Sequence, residues 1–319
     1  MRSKGIVFIL PLILIALILI SGIVLYKFGL LKFNNNQPLV SIQTPTPTET
    51  VSITPTQTQT PTPTVTPTPT KTPTPKPTAP IVKGSPGVGY SVVTVETEKG
   101  NFSAKILSFD LSSTKIVTDT ADDNDCSDNC STKTLKDFVD QNGGFAGVNG
   151  TYFCPDTYPE CSGKKNSFDF PVYNSELAKW INGGNLFWND RAMFYVDGSG
   201  AHHMQSAQSF SGGLTAGVVN YPGILNDGQV QIDDNQSGLS DKQKAKGTKV
   251  GIGVRGISSV MVVIASNVNM QEFGYVFKAL GASGALNLDT GGSRALYYNG
   301  KYLAGPGRNL PNAIIFKTK

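Results

Sequence analysis

Residues 284–294 read GALNLDTGGSR, an apolar strand that leads into a glycine turn. Asn287 and Asp289 alternate with leucines, and because successive side chains of a strand point to opposite faces, these two polar side chains share one face while the leucines face the core. The glycines at 291 and 292 allow backbone N–H groups to approach an anion closely. The pattern predicts a buried strand that ends in a polar, anion-accepting turn.

Ser293 and Arg294 follow these glycines and add donors suited to phosphate or carboxylate. From this segment alone Asp289 has two interpretations, a reactive carboxylate or a side chain that caps the glycine turn. Residues 144–153, GFAGVNGTYF, form a second apolar strand, which ends in Asn149 and Gly150. The sequence thus contains two polar strand ends as candidates for one site.

Outward from these segments, β-rich runs alternate with turn signals along the chain. Strands are predicted at residues 90–97, 102–109, 145–148, 192–196, 250–254, 259–265, 285–288, 295–298 and 313–317. Residues 297–303 predict a hairpin closed by an Asn-Gly turn, and residues 135–141 and 270–280 have helical spacing. Many strands and few helices without regular βαβ alternation predict an α+β fold, a single mixed, strand-rich domain over residues 85–319.

The N-terminal residues have a different composition. Residues 5–26 are 22 consecutive positions without a charge, enough for a helix to cross a membrane. Because no small-residue cleavage site and no lipobox cysteine is evident, residues 1–30 are predicted to be an uncleaved transmembrane anchor. The expected localisation is a single-pass protein of the cell membrane with its C-terminal domain outside the cytoplasm.

Residues 31–84 are predicted to be a disordered stalk between anchor and domain. Positions 44–80 contain 11 Pro and 16 Thr, a composition with too little apolar surface to form a core.

The net charge of +4 belongs to this N-terminal region. Of the 27 basic residues six lie before residue 81, against one of the 23 acidic residues. The predicted domain is therefore close to neutral, which argues against nucleic acid as a partner.

The four cysteines of the domain are an even number, which predicts disulfides outside the cytoplasm. The favoured pairs are local, Cys126 with Cys130 and Cys154 with Cys161. A zinc site built from all four is the alternative, although these spacings are not those of the usual zinc knuckles.

Acidic residues surround the first cysteine pair, at Asp119, Asp122, Asp123, Asp125 and Asp128. Calcium is one interpretation of this run, but the glycine of an EF-hand loop is missing, so a solvated loop is preferred. No other metal and no cofactor is predicted.

Histidines and tryptophans are further candidates. His202 and His203 are interpreted as a solvent-facing pair, with a phosphate contact as the alternative. Trp180 and Trp188, with Phe187, are interpreted either as a sugar platform or as packing residues.

Together, the two strand ends resemble the phosphodiester glycosidase family. The family pattern has an apolar strand into N-G-x-[YF]-F, then a strand and a helix, L-N-L-D-G-G-G-S, and R-x-[VL]-x-N-A before the last strand. The corresponding segments here are VNGTYF at 148–153, MQEFGYVFKALGAS at 270–283, ALNLDTGGSRAL at 285–296 and RNLPNAIIF at 308–316. The resemblance covers most of residues 90–319.

This resemblance implies a carbohydrate phosphodiester substrate and hydrolysis at its anomeric carbon. Asp289 would be the nucleophile or general base, with Asn287 and Asn149 orienting the sugar or Asp289. The residues implied to bind substrate or phosphate are Gly150, Gly291, Gly292, Ser293, Arg294 and Arg308. A second carboxylate would come from Asp156, Glu160 or Asp169.

The chain departs from the family pattern at three places. Thr290 replaces the first glycine of the triplet, and Arg294 stands where a small or hydroxyl residue is commoner. Gly247-Thr248 stands where an Arg-Thr pair is usual. Lys246 and Lys249 are then the nearby cations. The expected function is a membrane-anchored hydrolase of sugar-1-phosphodiesters in surface or extracellular glycans, and the alternative is a non-catalytic glycan-binding module on a stalk.

Overall fold

A computed structural model describes residues 79–84, 87–186, 190–235 and 238–319. The predicted anchor, including residues 5–26, and the stalk up to residue 78 lie outside these residues, as do Phe187 and Trp188. None of the helices in the described ranges is both long enough and apolar enough to cross a bilayer.

Eighteen strands and three α-helices form within the described residues. The strands are β1 Ile81–Val82, β2 Gly89–Thr97, β3 Gly100–Asp110, β4 Thr114–Thr120, β5 Ala146–Asn149, β6 Val172–Asn174, β7 Lys179–Ile181, β8 Ala192–Val196, β9 Ala201–Met204, β10 Ala216–Asn220, β11 Gly223–Asn226, β12 Gln229–Val230, β13 Gly247–Arg255, β14 Ser259–Val268, β15 Gly284–Asn287, β16 Leu296–Tyr298, β17 Lys301–Ala304 and β18 Asn312–Thr318. The helices are α1 Leu135–Gln141, α2 Asp241–Lys244 and α3 Met270–Ala279.

The strands form three open sheets. The largest has eight strands in the order β1-β2-β3-β14-β13-β15-β11-β12, and two five-stranded sheets have the orders β7-β6-β10-β8-β9 and β17-β16-β5-β18-β4. All pairings are antiparallel except that of β1 with β2. The two segments singled out in the sequence therefore lie on different sheets, β15 in the first and β5 in the third.

The main hydrophobic core lies between the three sheets. It joins Leu107 and Leu286 of the large sheet, Phe194 of the second sheet, and Val148 and Phe316 of the third. All five side chains are at most 1% exposed. Burying a side chain of this size contributes about 1.5–3 kcal/mol. This shared core therefore fixes the positions of the three sheets, and of their strand ends, relative to one another.

Helix α3 covers the other face of the large sheet. Phe273 and Phe277 are fully buried in a second core with residues of β2, β3 and β14. A Cβ on Gly253 of β13 would lie 2.7 Å from the Phe277 ring, so glycine is what allows the ring to lie against the strand. Asn269 and Glu272 cap the helix reciprocally, each side chain bonded to the backbone N–H of the other.

Helix α1 covers the third sheet in the same way. Leu135, Phe138 and Val139 pack against β18 and β16 in a separate core. The hydroxyl of Thr134 caps the helix by accepting from the N–H of Asp137 at 3.1 Å. The hairpin of β16 and β17 turns at Asn299 and Gly300, both with positive φ, as the Asn-Gly pair predicts.

The strand-rich α+β class is confirmed, and all nine predicted strands and both predicted helices form with bounds within about three residues of those expected. The strands that were not predicted are β1, β4, β6, β7, β9, β10, β11 and β12. The boundary at residue 84 needs correction, because Ile81–Val82 pairs with β2 and Val82 packs on the core under α3. An apolar pair directly after the last proline of the stalk can join a sheet, whatever the composition before it.

Candidate active site

Three strands, one from each sheet, end in a fully buried asparagine. These are Asn149 at the end of β5, Asn220 at the end of β10 and Asn287 at the end of β15, each 0% exposed. The N–H of Asp289 donates to the carbonyl of Gly150 at 3.0 Å and joins two of these ends directly. The two candidate segments are therefore in direct contact, so they can contribute to one site.

Asn149 holds both ends of the glycine turn that follows Asp289. Its Nδ2 donates to the carbonyl of Asp289 at 2.8 Å, and its Oδ1 accepts from the N–H of Ala295 at 3.1 Å. A buried polar group is costly unless it is paired, so these bonds lock residues 289–295 in one conformation. Asn149 lies behind the site and orients Asp289 through the main chain.

Asn287 and Asn220 join the same strand ends to Tyr152. Nδ2 of Asn287 donates to the Tyr152 hydroxyl at 2.7 Å. Nδ2 of Asn220 donates to the carbonyl of Asn287 at 2.8 Å, and its Oδ1 accepts from the N–H of Tyr152 at 3.2 Å. Tyr152 lines the cavity that is described below. Asn287 does not line this cavity and contacts it only through Tyr152.

Gly150 is required by its neighbour Asn312, the first residue of β18. A Cβ at Gly150 would overlap Oδ1 of Asn312. That oxygen accepts from the N–H of Thr151 at 2.9 Å, and the Asn312 amide donates back to Thr151 Oγ1. The glycine of the Asn149-Gly150 pair is therefore required by the close packing of this strand end on Asn312.

A cavity of about 350 Å³ opens in front of these strand ends. Its lining is Tyr152, Phe153, Pro155, Tyr158, Phe170, Tyr221, Ser240, Lys242, Gln243, Asp289, Thr290, Gly291, Ser293 and Arg308. Asp289 is the one carboxylate in this lining, counted over the described part of the chain. The aromatic walls and few polar groups are typical of a small-molecule site.

The Asp289 side chain is 8% exposed, and burial raises the pKa of its carboxyl to about 7. Three groups act in the opposite direction: the Ser293 hydroxyl, the N–H of Thr290, which donates at 2.7 Å, and the positive charge of Arg308. A carboxyl with a pKa near neutrality is suited to proton transfer at physiological pH.

Arg308 lines the cavity and lies over the ring of Tyr158. Its Cζ is 4.9 Å from the ring centroid, and Nη2 donates to the Tyr158 hydroxyl at 3.4 Å. Nη1 is buried and has no hydrogen-bond partner among the described residues. The Lys242 ammonium lies 5.5 Å from the same ring centroid. Two cations thus flank one wall of the cavity, and one of them has an unused donor.

A disulfide holds this wall in place. Cys154 and Cys161 are bonded and close the loop that carries Tyr158. Cys126 and Cys130 are bonded in a neighbouring loop, whose Cys130 N–H donates to the carbonyl of Lys165. Both predicted pairings are confirmed, and since every cysteine sulfur is used, a four-cysteine zinc site is excluded.

The acidic run beside Cys126 serves mainly as a set of hydrogen-bond acceptors. Asp122 accepts from the N–H of Ser131, Asp125 from that of Asn182 and Asp128 from that of Lys165, at 2.6–2.8 Å. These bonds tie three loops together. Calcium binding at this run stays an untested prediction.

The predicted site residues fall into three groups. Asp289, Gly291, Ser293 and Arg308 line the cavity, and Asn149, Asn287 and Gly150 are buried behind it. Gly292 and Arg294 are absent from the lining, although the carbonyl of Gly292 accepts from the Arg308 N–H at 2.9 Å. The three proposed second carboxylates, Asp156, Glu160 and Asp169, are exposed and lie outside the lining.

Sequence reasoning missed Tyr152, Tyr158, Lys242 and Gln243 as cavity residues. The only signal for the last two is the capping box of Ser240 and Gln243, which starts α2. Neither of the two lysines expected near Gly247 reaches the cavity lining: Lys246 pairs with Glu272 at 2.8 Å, and Lys249 is buried and donates to the carbonyl of Lys242.

The histidine pair and Trp180 lie elsewhere. His202 bonds to Asp197 at 3.0 Å, while His203 lines a different cavity of about 200 Å³, and burial lowers the pKa of its ring to about 4. His203 is therefore not the solvent-facing residue expected. Trp180 packs edge-on against Tyr173 and Phe210 in a small core, which favours the packing interpretation.

A family model described as phosphodiester glycosidase matches residues 142–317, more than half of the chain. The chain belongs to the phosphodiester glycosidase family. The family and the enzyme class inferred from the two strand ends, a glycosidase acting on phosphodiesters, are thereby confirmed.

Among solved structures, a zebrafish phosphodiester glycosidase shares the fold. It is the catalytic domain of N-acetylglucosamine-1-phosphodiester α-N-acetylglucosaminidase, auto-inhibited by its pro-peptide, with 15% sequence identity and a TM-score of 0.55. The match covers 76% of this chain and 87% of that one.

A hypothetical protein from Synechocystis also matches, with 13% identity, a TM-score of 0.48 and coverage of 72% of this chain. The present chain spans 62% of the length of that protein. No curated protein sequence matches the chain.

Proposed function

We propose that this phosphodiester glycosidase hydrolyses sugar-1-phosphodiesters of the N-acetylglucosamine-1-phosphate type in surface or extracellular glycans. The observation that carries the proposal is that Asp289 and Arg308 line one cavity, a buried carboxyl with a pKa near 7 and a guanidinium with an unused donor. A glycosyl phosphodiester needs both groups, one beside the anomeric carbon and one beside the phosphate.

One carboxylate suffices for this chemistry because the departing group is a phosphate monoester. The bond from the anomeric carbon to the phosphate oxygen breaks, its electron pair leaves on the phosphate, and no acid has to protonate that oxygen as in ordinary glycosidases. Asp289 either attacks the anomeric carbon itself or takes the proton of the attacking water. Retention of configuration in the product identifies the first route and inversion the second.

The phosphate is held at the cation-flanked wall. Arg308 and Lys242 supply positive charge, and Ser293 and the backbone of Gly291 line the cavity between them and Asp289. Cations and N–H groups fixed in place before reaction stabilise charge that develops on the departing phosphate. Tyr158, clamped by the Cys154–Cys161 disulfide, keeps both cations positioned.

The proposed location is the outer face of a cell membrane. The uncharged run at residues 5–26 supports an anchor, and the Thr/Pro-rich segment that follows supports a stalk. Two disulfides in the domain favour an oxidising compartment.

The test is hydrolysis of UDP-N-acetylglucosamine in H₂¹⁸O by the full-length chain purified in detergent. We expect free N-acetylglucosamine with ¹⁸O on its anomeric carbon and UDP without the label, since the sugar–oxygen bond is the one cleaved. Asp289→Asn should abolish turnover, while Asp156→Asn, which changes an exposed carboxylate outside the cavity, is the matched control.

Two results would contradict the proposal. Label in the phosphate would mean cleavage at phosphorus, which is the reaction of a phosphodiesterase. Binding of the nucleotide sugar and of glycan phosphodiesters without turnover would favour the alternative, a glycan-binding module displayed on a stalk.

A further inference from the structure

Tyr152 lines the same cavity as Asp289, and its hydroxyl has two amide neighbours. Asn287 Nδ2 lies 2.7 Å from the phenol oxygen and Gln243 Nε2 lies 3.4 Å from it. Whether the phenol donates or accepts in these two bonds depends on which way each amide faces.

The orientation of the Asn287 amide is decided by Tyr221. The Asn287 atom that faces Tyr152 is also 3.2 Å from the main-chain carbonyl of Tyr221. A carbonyl oxygen only accepts, so the group between it and the phenol must be the NH₂. Its two hydrogens serve these two acceptors.

The orientation of the Gln243 amide is decided by Ser240. Oε1 of Gln243 accepts from the backbone N–H of Ser240 at 2.8 Å in the capping box of α2. A backbone N–H only donates, so the oxygen of the amide must face Ser240 and the NH₂ must face Tyr152.

The phenol oxygen therefore accepts from two amides, and its own O–H is left to donate in another direction. Asp289 does not take it: the carboxyl is bonded to the N–H of Thr290 and the Ser293 hydroxyl, and no bond from Tyr152 to it is present within the described residues. Burial raises the pKa of Tyr152 to about 12, so the proton stays on the phenol at any physiological pH. Because Tyr152 lines the cavity, an occupant of the cavity is the acceptor that remains for this hydroxyl.

We propose that Tyr152 is a catalytic residue whose hydroxyl donates a hydrogen bond to the phosphate oxygen that departs from the anomeric carbon. This rests on the proposed function. A sugar hydroxyl can both donate and accept and would not need a donor of fixed direction, whereas phosphate oxygens only accept. Of the acceptors in such a substrate, the bridging oxygen is the one that gains charge as its bond to carbon breaks.

The step balances without transfer of the phenol proton. The electron pair of the broken carbon–oxygen bond stays on the phosphate oxygen, the proton of water goes to Asp289 or to solvent, and the Tyr152 O–H bond remains intact. Stabilisation by one fixed donor of this kind contributes roughly 10²-fold to kcat.

The test uses the full-length chain and three diesters of N-acetylglucosamine-1-phosphate, with p-nitrophenyl, phenyl and methyl as the second ester group. The departing phosphate becomes more basic along this series. Tyr152→Phe should lower kcat by roughly 10²-fold with little change in KM, and the loss should grow from p-nitrophenyl to methyl. Tyr195→Phe, a phenol stacked on His202 outside the cavity, is the matched control.

Two variants at Gln243 test the direction of the hydroxyl. Gln243→Glu keeps the capping box but offers the phenol an acceptor, so the O–H should turn away from the substrate and the variant should reproduce the leaving-group dependence of Tyr152→Phe. Gln243→Met removes the amide without offering an acceptor, and its loss should be smaller and equal for all three substrates.

A loss at Tyr152→Phe that is equal for the three substrates, or confined to KM, would overturn the proposal. If the parent hydrolyses none of them, the proposed function fails, and the donor is then tested by calorimetric binding of inorganic phosphate. In that case weaker binding by Tyr152→Phe than by Tyr195→Phe supports a phosphate donor, and equal binding rejects it.

Discussion

The side-chain amide of Asn149 donates to the main-chain carbonyl of Asp289 at 2.8 Å, across 140 positions of sequence. The same side chain accepts from the N–H of Ala295. One buried asparagine on the third sheet therefore sets the conformation of the turn that follows β15 of the first sheet and carries the Asp289 carboxyl.

Asn149→Ala should destabilise the protein and impair turnover together. The change leaves the Asp289 carbonyl and the Ala295 N–H without partners in a buried position, which costs about 2–4 kcal/mol for the two groups. The measurement is the free energy of unfolding in urea, with kcat determined in parallel. Asn101→Ala, at an exposed position near the start of β3, is the control. An unchanged unfolding free energy would show that the turn is held by other contacts.

The pH dependence of kcat/KM should have an acidic limb with an apparent pKa of about 7, because Asp289 acts ionised and burial raises its pKa to that value. Arg308→Gln removes a positive charge that lowers this pKa, so the limb should move to higher pH. Arg308→Lys keeps the charge and is the control. An acidic limb with an apparent pKa near 4 in the parent would mean that the Asp289 carboxyl is solvated, which would contradict its burial in the structure.

The stability of the protein should also depend on Asp289. Its pKa of about 7 in the folded state lies above the ordinary value of 3.8 for an aspartate. The stability that the bound proton contributes is therefore present below pH 4 and is lost as the pH rises through 7. Asp289→Asn should therefore stabilise the protein at pH 8, by on the order of 3 kcal/mol more than at pH 4.

Thermal unfolding at the two pH values measures this difference, with Asp156→Asn as the matched control. If the stability difference between Asp289→Asn and the parent is the same at pH 4 and at pH 8, the raised pKa of Asp289 is contradicted.

Gly292→Ala should weaken substrate binding with little change in stability. A Cβ at this position would overlap the guanidinium of Arg308, and the end of a long side chain can move aside at small cost. The displaced guanidinium no longer meets the phosphate, so KM should rise several-fold. Steady-state kinetics with UDP-N-acetylglucosamine measures this. Gly213→Ala, where a Cβ meets nothing within 4 Å, controls for the added methyl group; equal KM values for the two would argue against phosphate binding by Arg308.

Much of the fold could be predicted because it depends on local patterns. The alternation at residues 286–289, the Asn-Gly turn at 299–300 and the helical spacing of residues 270–279 each concern a single element. Apart from β8, the strands of the second sheet could not be predicted, since three to five residues carry too little periodicity to separate a strand from a loop.

The candidate site could be predicted only in part, for a related reason. Asp289, Gly291, Ser293 and Arg308 belong to the quoted motifs and line the cavity. Lys242 and Gln243 belong to no motif, and Arg294, which follows the glycine turn directly, is absent from the lining. Adjacency in the chain does not tell which side chain reaches a cavity, because that depends on the direction in which each leaves the backbone.

The sequence by itself determined the family, the two polar strand ends and the local disulfide pairs, because each is written in residues close together in the chain. Only the tertiary structure decided that Asn149 lies behind Asp289, that Tyr158 lies beside both cations and that the Tyr152 hydroxyl has two amides as neighbours. Those relationships join residues tens to hundreds of positions apart, and packing of three sheets on one core sets them, with burial requiring each polar group at the crossing to find its partner.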